Sequence, residues 1–272
     1  MDRILVGTDG SEPATAALTW AAGLAQAVGA QLVVASVLAP GLAGTDAGVS
    51  GAGRCRVTEL LESQWCAPAR ALGQDVHALV LDGDPRTALL EAAIRERAGL
   101  LVVGSSGSGW FPALHLGHVA HAIAHHATVP VAVVRPGGQA SLSGPLLVGV
   151  DGSSGSAAAI AVAGDLARSL DREVVAVHGD LGGGFPERRA ELERECAEWT
   201  APLRDLGVRT RVLVAQGWPA KAITEAEAAE HPALVVIGSR GAGGFHDLHL
   251  GSVALQLLHR ATVPVVVVPS PA

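Results

Sequence analysis

Lysine is almost absent from this sequence, and its scarcity excludes one large class of nucleotide-binding proteins. Of the 19 basic residues in the 272-residue chain, Lys221 is the only lysine. A P-loop needs a lysine directly after its last glycine, because that ammonium group reaches the β- and γ-phosphates. No glycine-rich loop of this chain ends in Gly-Lys. An ordinary Walker nucleotidase is therefore excluded.

Excess positive charge is missing as well. The chain has 19 Lys and Arg against 26 Asp and Glu, a formal net charge of −7, and a pI of about 5.8. Binding to nucleic acid without sequence preference needs a basic surface that neutralises phosphates. We therefore expect no nucleic-acid partner.

Cysteines are few, and their spacing suggests no chemistry. Cys55, Cys66 and Cys196 form no C-x-x-C pair, and an odd number is a poor basis for a disulfide framework. The pattern is typical of buried or idle thiols in a reducing cytoplasm.

Long apolar runs are also missing. No stretch of about 18 strongly apolar residues, the length of a membrane-spanning helix, occurs in the sequence. The first residues, MDRILVGTDGS, contain an acid at position 2 and only four apolar residues before a turn, which is not typical of a signal peptide. We expect a cytoplasmic protein with no membrane segment.

The sequence does contain an internal repeat. VGTDGS returns as VGVDGS 142 residues later, whereas LLVVGSSG returns as LVVIGSRG, and ATVPVAVV as ATVPVVVV, 134 residues later. The second copy is therefore eight residues shorter, and the glycine-rich segment 41–53 is the natural place for an insertion in the first copy. We predict one domain at 1–136 and a second at 146–272, joined by a linker at 137–145 that is rich in Pro, Gly and Ser.

Each half alternates short apolar runs with longer segments of helical periodicity. Near-continuous Val, Leu and Ile runs favour strands that are buried on both faces of a parallel sheet. Helices are predicted at 13–28, 56–72, 86–97 and 117–126, with counterparts at 154–170, 187–206, 220–230 and 252–260. The expected fold class is α/β, with two domains that are each an open five-stranded parallel sheet flanked by helices and a ligand site at the carboxyl ends of the strands.

The fourth apolar run of each half ends in a turn with three glycines at the same spacing. The glycines are Gly104, Gly107 and Gly117 in the first half, and Gly238, Gly241 and Gly251 in the second. Glycines allow the backbone N–H groups to approach an anion, and the N-terminus of the following helix adds unpaired donors. Tight turns need glycine in any case, but repetition of the whole spacing favours a phosphate site.

The D-G-S after the first strand, the G-x2-G-x9-G-[ST] turn and the final T-V-P-V-x-V-V strand resemble the universal stress protein family, here as two domains in tandem. The resemblance covers nearly all of both halves. It implies a Rossmann-like fold of the adenine nucleotide alpha hydrolase-like kind, with strand order 3-2-1-4-5. It also implies that ATP, or a related adenine nucleotide, is bound between the first strand and the glycine turn, and that the two domains pair through their last strands.

The resemblance also implies roles for individual residues. Asp9 and Asp151 would contact the adenosine end of the nucleotide, and the six glycines would shape the phosphate cradles. Ser252 matches the hydroxyl residue of the family pattern, but His118 stands at that place in the first half. An imidazole can itself donate to phosphate, whereas its larger ring can also close the site. An acid at the D-G-S turn can equally be an ordinary helix-starting residue.

A row of histidines in HLGHVAHAIAHH, residues 115–126, raises the alternative of a metal site. His118, His121 and His125 would share one face of a helix. The stretch contains no acid and no H-E-x-x-H motif, and the second half has Ser252 and Leu255 at the first two matching places. We expect a solvated polar face and no metal.

Three functions stay open on the sequence. The first is an ATP-binding sensor or regulator, with Mg²⁺ accompanying the ATP and a protein partner of unknown identity. The second is a nucleotide-free scaffold, to which the histidine at position 118 points, and the third is a slow ATPase. No G-x-S-x-G elbow is present for an acyl-transfer hydrolase, and no base is evident for phosphoryl transfer. Binding rather than catalysis is therefore expected, and a homodimer is optional because a tandem chain already contains a pair of domains.

Overall fold

The computed structural model describes residues 1–38, 51–107, 116–137, 141–183, 185–243 and 250–271. It divides into two compact units, residues 1–138 and residues 139–272. Within the described residues, each unit contains five strands that alternate with helices. The predicted α/β class is confirmed.

The first domain begins with a strand and follows the predicted alternation. Its elements are β1 (Arg3–Gly7), α1 (Glu12–Val28), β2 (Gln31–Leu38), α2 (Gly51–Leu60), α3 (Ala67–Ala71), β3 (Val76–Asp82), α4 (Pro85–Arg95), β4 (Leu100–Gly104), α5 (His118–His126) and β5 (Val131–Val134). The five strands are parallel and lie in the order β3-β2-β1-β4-β5.

The first strand lies in the middle of this sheet. Ile4 of β1 is opposite Leu32 of β2 on one side and Leu100 of β4 on the other, and all three side chains are buried. A central strand that helices cover on both faces has no solvated side, so the positions after Arg3 in β1 are buried and non-polar. This is why the sequence shows apolar runs here instead of alternation.

Helices cover both faces because the chain changes direction once. It moves outward from β1 to β2 and β3, and then returns past β1 to β4 and β5. Since crossovers between parallel strands are right-handed, α1 to α3 lie on one face and α4 and α5 on the other. The observed packing of α1 on α3 and of α4 on α5 agrees with this arrangement.

The second domain repeats the same plan. Its elements are β6 (Leu146–Gly149), α6 (Ser154–Leu170), β7 (Val174–Asp180), α7 (Pro186–Trp199), α8 (Ala201–Asp205), β8 (Thr210–Gln216), α9 (Pro219–Glu230), β9 (Leu234–Gly238), α10 (Ser252–Arg260) and β10 (Val265–Val268). Its strands are parallel in the order β8-β7-β6-β9-β10.

Two predicted helices differ from the observed ones. The helix predicted at 56–72 is α2, which begins at Gly51, then a π-helical turn at Leu61–Trp65, and then α3. The helix predicted at 187–206 is divided into α7 and α8. In both places a proline, Pro68 or Pro202, stands in the first turn of the second piece, where its missing N–H is tolerated.

The predicted insertion at 41–53 is observed only in part. Residues 41–50 lie outside the described residues, whereas Gly51–Gly53 form the start of α2. None of the helices in the described part of the chain combines the length and the apolar character that crossing a membrane requires.

Candidate functional site

The predicted site residues meet at the carboxyl ends of two neighbouring strands in each sheet. The chain leaves β1 towards one face and β4 towards the other, so a crevice opens between them. In open α/β sheets this reversal point is the usual place for a ligand. Asp9 follows β1 there, and the loop from Gly104 to Gly107 follows β4. In the second domain, Asp151 follows β6 and the loop 238–241 follows β9.

The two aspartates hold the turn after the first strand of each domain. The Ser11 N–H donates to Oδ1 of Asp9 at 3.0 Å. Ser153 donates to Oδ1 of Asp151 through its N–H at 3.0 Å and its hydroxyl at 2.6 Å. These are Asx turns, which start the next helix without any ligand. This turn-forming role of the aspartates is therefore present in both domains, and it is carried by Oδ1.

The other carboxylate oxygen connects the turn to the glycine loop. In the second domain, the Ala242 N–H donates to Oδ2 of Asp151 at 2.8 Å. A Cβ on Gly241 would collide with this oxygen, and a Cβ on Gly107 would lie 2.8 Å from Oδ2 of Asp9. Glycine at these two positions therefore lets the loop approach the carboxylate closely. The aspartate and the second glycine of the motif are neighbours in both domains.

The first glycine of each turn packs against the chain instead of facing the crevice. A Cβ on Gly104 would lie 2.6 Å from the carbonyl carbon of Pro13, at the start of α1. A Cβ on Gly238 would lie 2.6 Å from the carbonyl carbon of Gly155, at the start of α6. These glycines shape the site indirectly, because they allow a strand end to touch the first turn of a helix.

The third glycine of each turn is the residue before a helix. Gly117 and Gly251 are the N-caps of α5 and α10, and no side chain of the described residues caps either helix. Their N–H groups donate to the carbonyls of Ser105 and Ser239 at 2.7 Å, which folds the loop back on the strand. The N–H groups of the first helical turn therefore point beyond the helix end, where the helix dipole also attracts an anion.

The first helical residue differs between the domains, as the sequence predicts. His118 begins α5 and Ser252 begins α10, and both side chains are exposed. Both can donate to an anion, the serine through its hydroxyl and the histidine through a ring N–H. The imidazole is the larger group, and it occupies the same place on its helix.

The remaining histidines of α5 contact one another, His121 and His125 as a stacked pair and His125 and His126 edge to face. The His121 and His125 rings lie 6.1 Å apart, and those of His125 and His126 lie 4.5 Å apart. His121 and His126 are exposed, whereas His125 is half-buried. Within the described residues, no group of three His, Cys, Asp or Glu side chains is arranged to hold a metal ion. His115 and His249, which match each other in the two halves, lie outside the described residues.

Two tryptophans beside the site are not among the predicted residues. Gly10 and Gly152 of the D-G-S turns have φ values of +75° and +77°, and a Cβ on either would lie 2.8 Å from an indole carbon of Trp65 or Trp199. The rings therefore cover the turns that carry the aspartates. The sequence does contain a signal, because W-C-A-P at 65–68 returns as W-T-A-P at 199–202 with the shared 134-residue offset.

In the second domain the tryptophan also contacts a histidine, which in turn contacts the backbone next to Asp151. The Trp199 ring lies 5.8 Å from that of His178 on β7. Nδ1 of His178 lies 2.8 Å from the carbonyl oxygen of Val150, the residue directly before Asp151. Ring packing and a hydrogen bond therefore hold the backbone at the aspartate from the side of β7.

A cation is the second feature missing from the sequence prediction. Arg240 lies inside the glycine loop of the second domain, where the first domain has Ser106. Within the part of the chain that the structure describes, the Arg240 guanidinium forms no ion pair. An arginine in a glycine loop of this kind favours an anionic ligand. The first domain has an uncharged residue, Ser106, at the matching position.

The cysteines offer no nucleophile near these turns. Burial raises the pKa of the Cys66 thiol, and burial together with the nearby Glu195 raises the pKa of Cys196 to about 12. Both thiols are thus protonated at neutral pH, and the thiolate is the reactive form. Cys55 is exposed on α2.

Comparison with known proteins extends this picture to the whole chain. A sequence model of the universal stress protein family matches residues 1–135 and again residues 144–269. The chain is 34% identical to a universal stress protein of Mycolicibacterium smegmatis, over 97% of this chain and 96% of that protein. It is 31% identical to universal stress protein Rv2623 of Mycobacterium tuberculosis, over 97% of this chain and 95% of that protein.

A solved structure has the same fold over nearly the full length. The crystal structure of a universal stress protein from Archaeoglobus fulgidus superposes with a TM-score of 0.78 at 23% identity, covering 99% of this chain and 98% of that chain. At this level of identity the likeness shows the fold alone.

Proposed function

Because this chain belongs to the universal stress protein family and contains two of its domains in tandem, we propose that it binds ATP or a related adenine nucleotide as a stress-linked sensor or regulator. The observation that carries the proposal is the bond from Ala242 to Asp151 beside the N-terminus of α10. This bond supports the existence of a crevice that has a carboxylate on one side and helix N–H groups on the other. The carboxylate suits ribose hydroxyls, which donate, and the N–H groups suit phosphate oxygens, which accept.

We assign the nucleotide contacts to equivalent positions of the two domains. Asp9 and Asp151 are the contacts of the adenosine end. The phosphate cradles consist of Gly107, Gly117 and His118 in the first domain, and of Gly241, Gly251 and Ser252 in the second. Gly104 and Gly238 shape these cradles indirectly, because they let the strand end pack on a helix. Support comes from the close approach of the second glycine to the aspartate in each domain.

Mg²⁺ is part of the proposal as the counter-ion of bound ATP, whose phosphate charge it neutralises. Both carboxylate oxygens of Asp151 already accept hydrogen bonds from the chain. Mg²⁺ usually keeps several waters and takes phosphate oxygens together with one or two carboxylates. We therefore expect the phosphates and water to supply most of its ligands here.

Binding, and not rapid hydrolysis, is the activity we propose. Efficient phosphoryl transfer commonly uses a lysine at the phosphates, and the single lysine, Lys221, lies on α9, 3.4 Å from Glu225. An i,i+4 pair of this kind is an ordinary feature of a helix surface. A slow ATPase remains the alternative, and turnover well above background that is lost when the glycines are replaced would establish it.

The direct test is to release and identify the nucleotide from purified protein, and then to titrate ATP into the emptied protein by calorimetry. We expect an adenine nucleotide and up to two sites per chain. If no nucleotide is released and no heat is measured at millimolar ATP, the proposal is wrong. Retained oligomerisation without nucleotide would then favour the scaffold function.

The difference between His118 and Ser252 gives a paired prediction. Ser252→Ala is expected to weaken ATP binding by the second domain about fivefold, because one hydrogen bond contributes ~1 kcal/mol. His118→Ser is expected to bring the affinity of the first domain towards that of the second. Calorimetry with a two-site fit measures both. If His118→Ser weakens binding instead, the imidazole holds the phosphate and does not obstruct it.

Arg240 gives a prediction about phosphate charge. Arg240→Ser copies the residue of the first domain, Ser106, and is expected to weaken ATP binding by the second domain about threefold to tenfold, since charge-assisted bonds are strong but partly screened when exposed. Binding of AMP, which has fewer charges, should change less. The reciprocal Ser106→Arg variant is the control, and it should strengthen ATP binding by the first domain. Equal losses for ATP and AMP would contradict a role at the terminal phosphates.

Three further expectations stay predictions. They are pairing of the two domains within the chain, association either with a second copy of the chain or with an unidentified protein partner, and a cytoplasmic location. A tandem of two family domains supports the first of these.

A further inference from the structure

Two aromatic residues in the second domain occupy positions where a helix normally has a polar cap. Phe185 is the N-cap of α7 and Trp218 is the N-cap of α9, each directly before a proline. Neither side chain makes a capping hydrogen bond. Phe185 is 69% exposed and Trp218 is 70% exposed. Neither side chain therefore caps its helix, and neither is buried.

The first domain shows what the ordinary residue does at the same place. Asp84, 134 positions before Trp218, is the N-cap of α4, and its Oδ1 accepts from the N–H groups of Arg86 at 2.9 Å and Thr87 at 3.3 Å. This is the usual device for satisfying the first donors of a helix. The indole of Trp218 makes no capping hydrogen bond at the same place and leaves most of its surface exposed, where a ligand can reach it.

Both aromatic residues follow the carboxyl ends of strands, at the same end of the sheet as the candidate site. β7 and β8 are parallel neighbours with Asp180 opposite Gln216, and the Gly217 N–H donates to the Asp180 carbonyl at 2.8 Å. Phe185 follows the end of β7, and Trp218 follows the end of β8. α7 and α9 cover opposite faces of the sheet. Phe185 and Trp218 therefore lie on opposite sides of the carboxyl ends of β7 and β8.

The order of the strands relates these strand ends to the phosphate cradle. The cradle lies at β9 and β6, and β7 and β8 come next. Neighbouring strands lie about 4.8 Å apart, so the end of β7 is about 5 Å, and the end of β8 about 10 Å, beyond Asp151 on the side away from the phosphates. A nucleoside that continues past Asp151 reaches these strand ends.

We propose that Phe185 and Trp218 form a stacking platform for the base of the nucleotide in the second domain, and that they make this site select purines. The inference rests on the proposed function and adds to it the residues that recognise the base. Flat aromatic rings stack on the faces of bases, and a purine offers a larger face than a pyrimidine. Leu181, which is also exposed, adds apolar surface at the same end of the sheet. The first domain has Asp84 at the position of the tryptophan, so we assign the platform to the second domain alone.

The test uses the full chain with the first site closed by Gly107→Val, so that calorimetry reports the second domain. Trp218→Asn and Phe185→Ser remove the rings and supply neutral capping residues, which protects the helices. Each is expected to weaken ATP binding roughly tenfold, the scale of one base-stacking contact. The preference for ATP over CTP should shrink, whereas the affinity for inorganic tripolyphosphate should stay the same. Trp218→Phe keeps a ring and should retain most of the ATP affinity.

Ile94→Asn is the matched control, because Ile94 is 61% exposed on α4 of the first domain. Its removal should leave ATP affinity unchanged. If the Gly107→Val chain binds no ATP while the wild-type chain does, the second domain has no site and the platform is wrong. If the wild-type chain binds none either, the proposed function fails with it.

Two other outcomes would overturn the platform alone. One is ATP binding that is unchanged in both ring-removing variants. The other is an equal loss of ATP and tripolyphosphate, which would mean a distorted cradle. Light scattering after gel filtration completes the test. A change of oligomeric state in Trp218→Asn with unchanged ATP affinity would mean that this end of the sheet contacts a second copy of the chain.

Discussion

Replacing Gly241 by valine is expected to abolish ATP binding by the second domain and to leave the protein folded. A Cβ at this position collides with Oδ2 of Asp151, which accepts the bond from Ala242 at 2.8 Å. The carboxylate must move away, and the two methyl groups of valine occupy the cradle. We expect an affinity at least about a hundredfold lower, or ~2.7 kcal/mol. Calorimetric titration with ATP measures the loss.

Folding should be nearly unaffected by this substitution. Gly241 is exposed, and the group in its way is a side chain that can rotate. The hydrogen bond from Ala242 that the moved carboxylate loses contributes about 1 kcal/mol to the free energy of unfolding, which is small for a whole domain. Thermal denaturation measures this change.

Two further variants separate the cradle from the rest of the loop. Gly243→Ala lies two residues away with nothing within 4 Å of the added carbon, so it should bind ATP like the wild type. Gly107→Val repeats the collision in the first domain, 2.8 Å from Oδ2 of Asp9. It should remove the first site only. Unchanged ATP affinity in both valine variants would mean that the nucleotide does not bind between the aspartate and the glycine loop.

The sequence predicts the fold well because local patterns and repetition agree. The helix predicted at 154–170 is α6 to the residue, since Ser153 caps it and its apolar face is regular. The division of the helices near Pro68 and Pro202 was not predicted, although a proline within a helical pattern commonly starts a new helix. The apolar residues keep a helical spacing across both prolines, so the pattern predicted one continuous helix in each place. In the first domain the division includes a π-helical turn, in which Cys66 donates to the carbonyl of Leu61, five residues back.

The candidate site could be predicted only where a motif marks it. The D-G-S turn and the glycine spacing led to Asp151 and Gly241, which the structure brings into contact. Trp199 was not predicted, because its contact with Gly152 joins elements that lie far apart in sequence. The exposed Trp218 was missed for another reason. An aromatic residue before a proline predicts nothing until the structure shows that it is exposed and at the end of the sheet that carries the site.

The first glycine of the motif should matter for folding more than for binding. Gly238→Ala places a carbon 2.6 Å from the carbonyl carbon of Gly155 and 2.7 Å from its oxygen. These are backbone atoms of α6, which cannot rotate away as a side chain does. Overpacking in a close-packed region costs about 1–3 kcal/mol, and a rigid neighbour favours the upper end, ~3 kcal/mol. For a domain of this size we expect a Tm about 6–12 °C lower. Scanning calorimetry measures it.

Gly104→Ala tests the same contact in the first domain, where the added carbon would lie 2.6 Å from the carbonyl carbon of Pro13 and 2.9 Å from the Ala14 nitrogen. It should destabilise the first domain by a similar amount, and Gly243→Ala should not change the Tm. A normal Tm together with lost ATP binding would place Gly238 in the cradle itself. A lower Tm with ATP binding retained at low temperature would confirm that this glycine acts through packing. The motif would then meet two requirements. Its first glycine allows the strand end to pack closely on a helix, and its second glycine leaves room for the ligand.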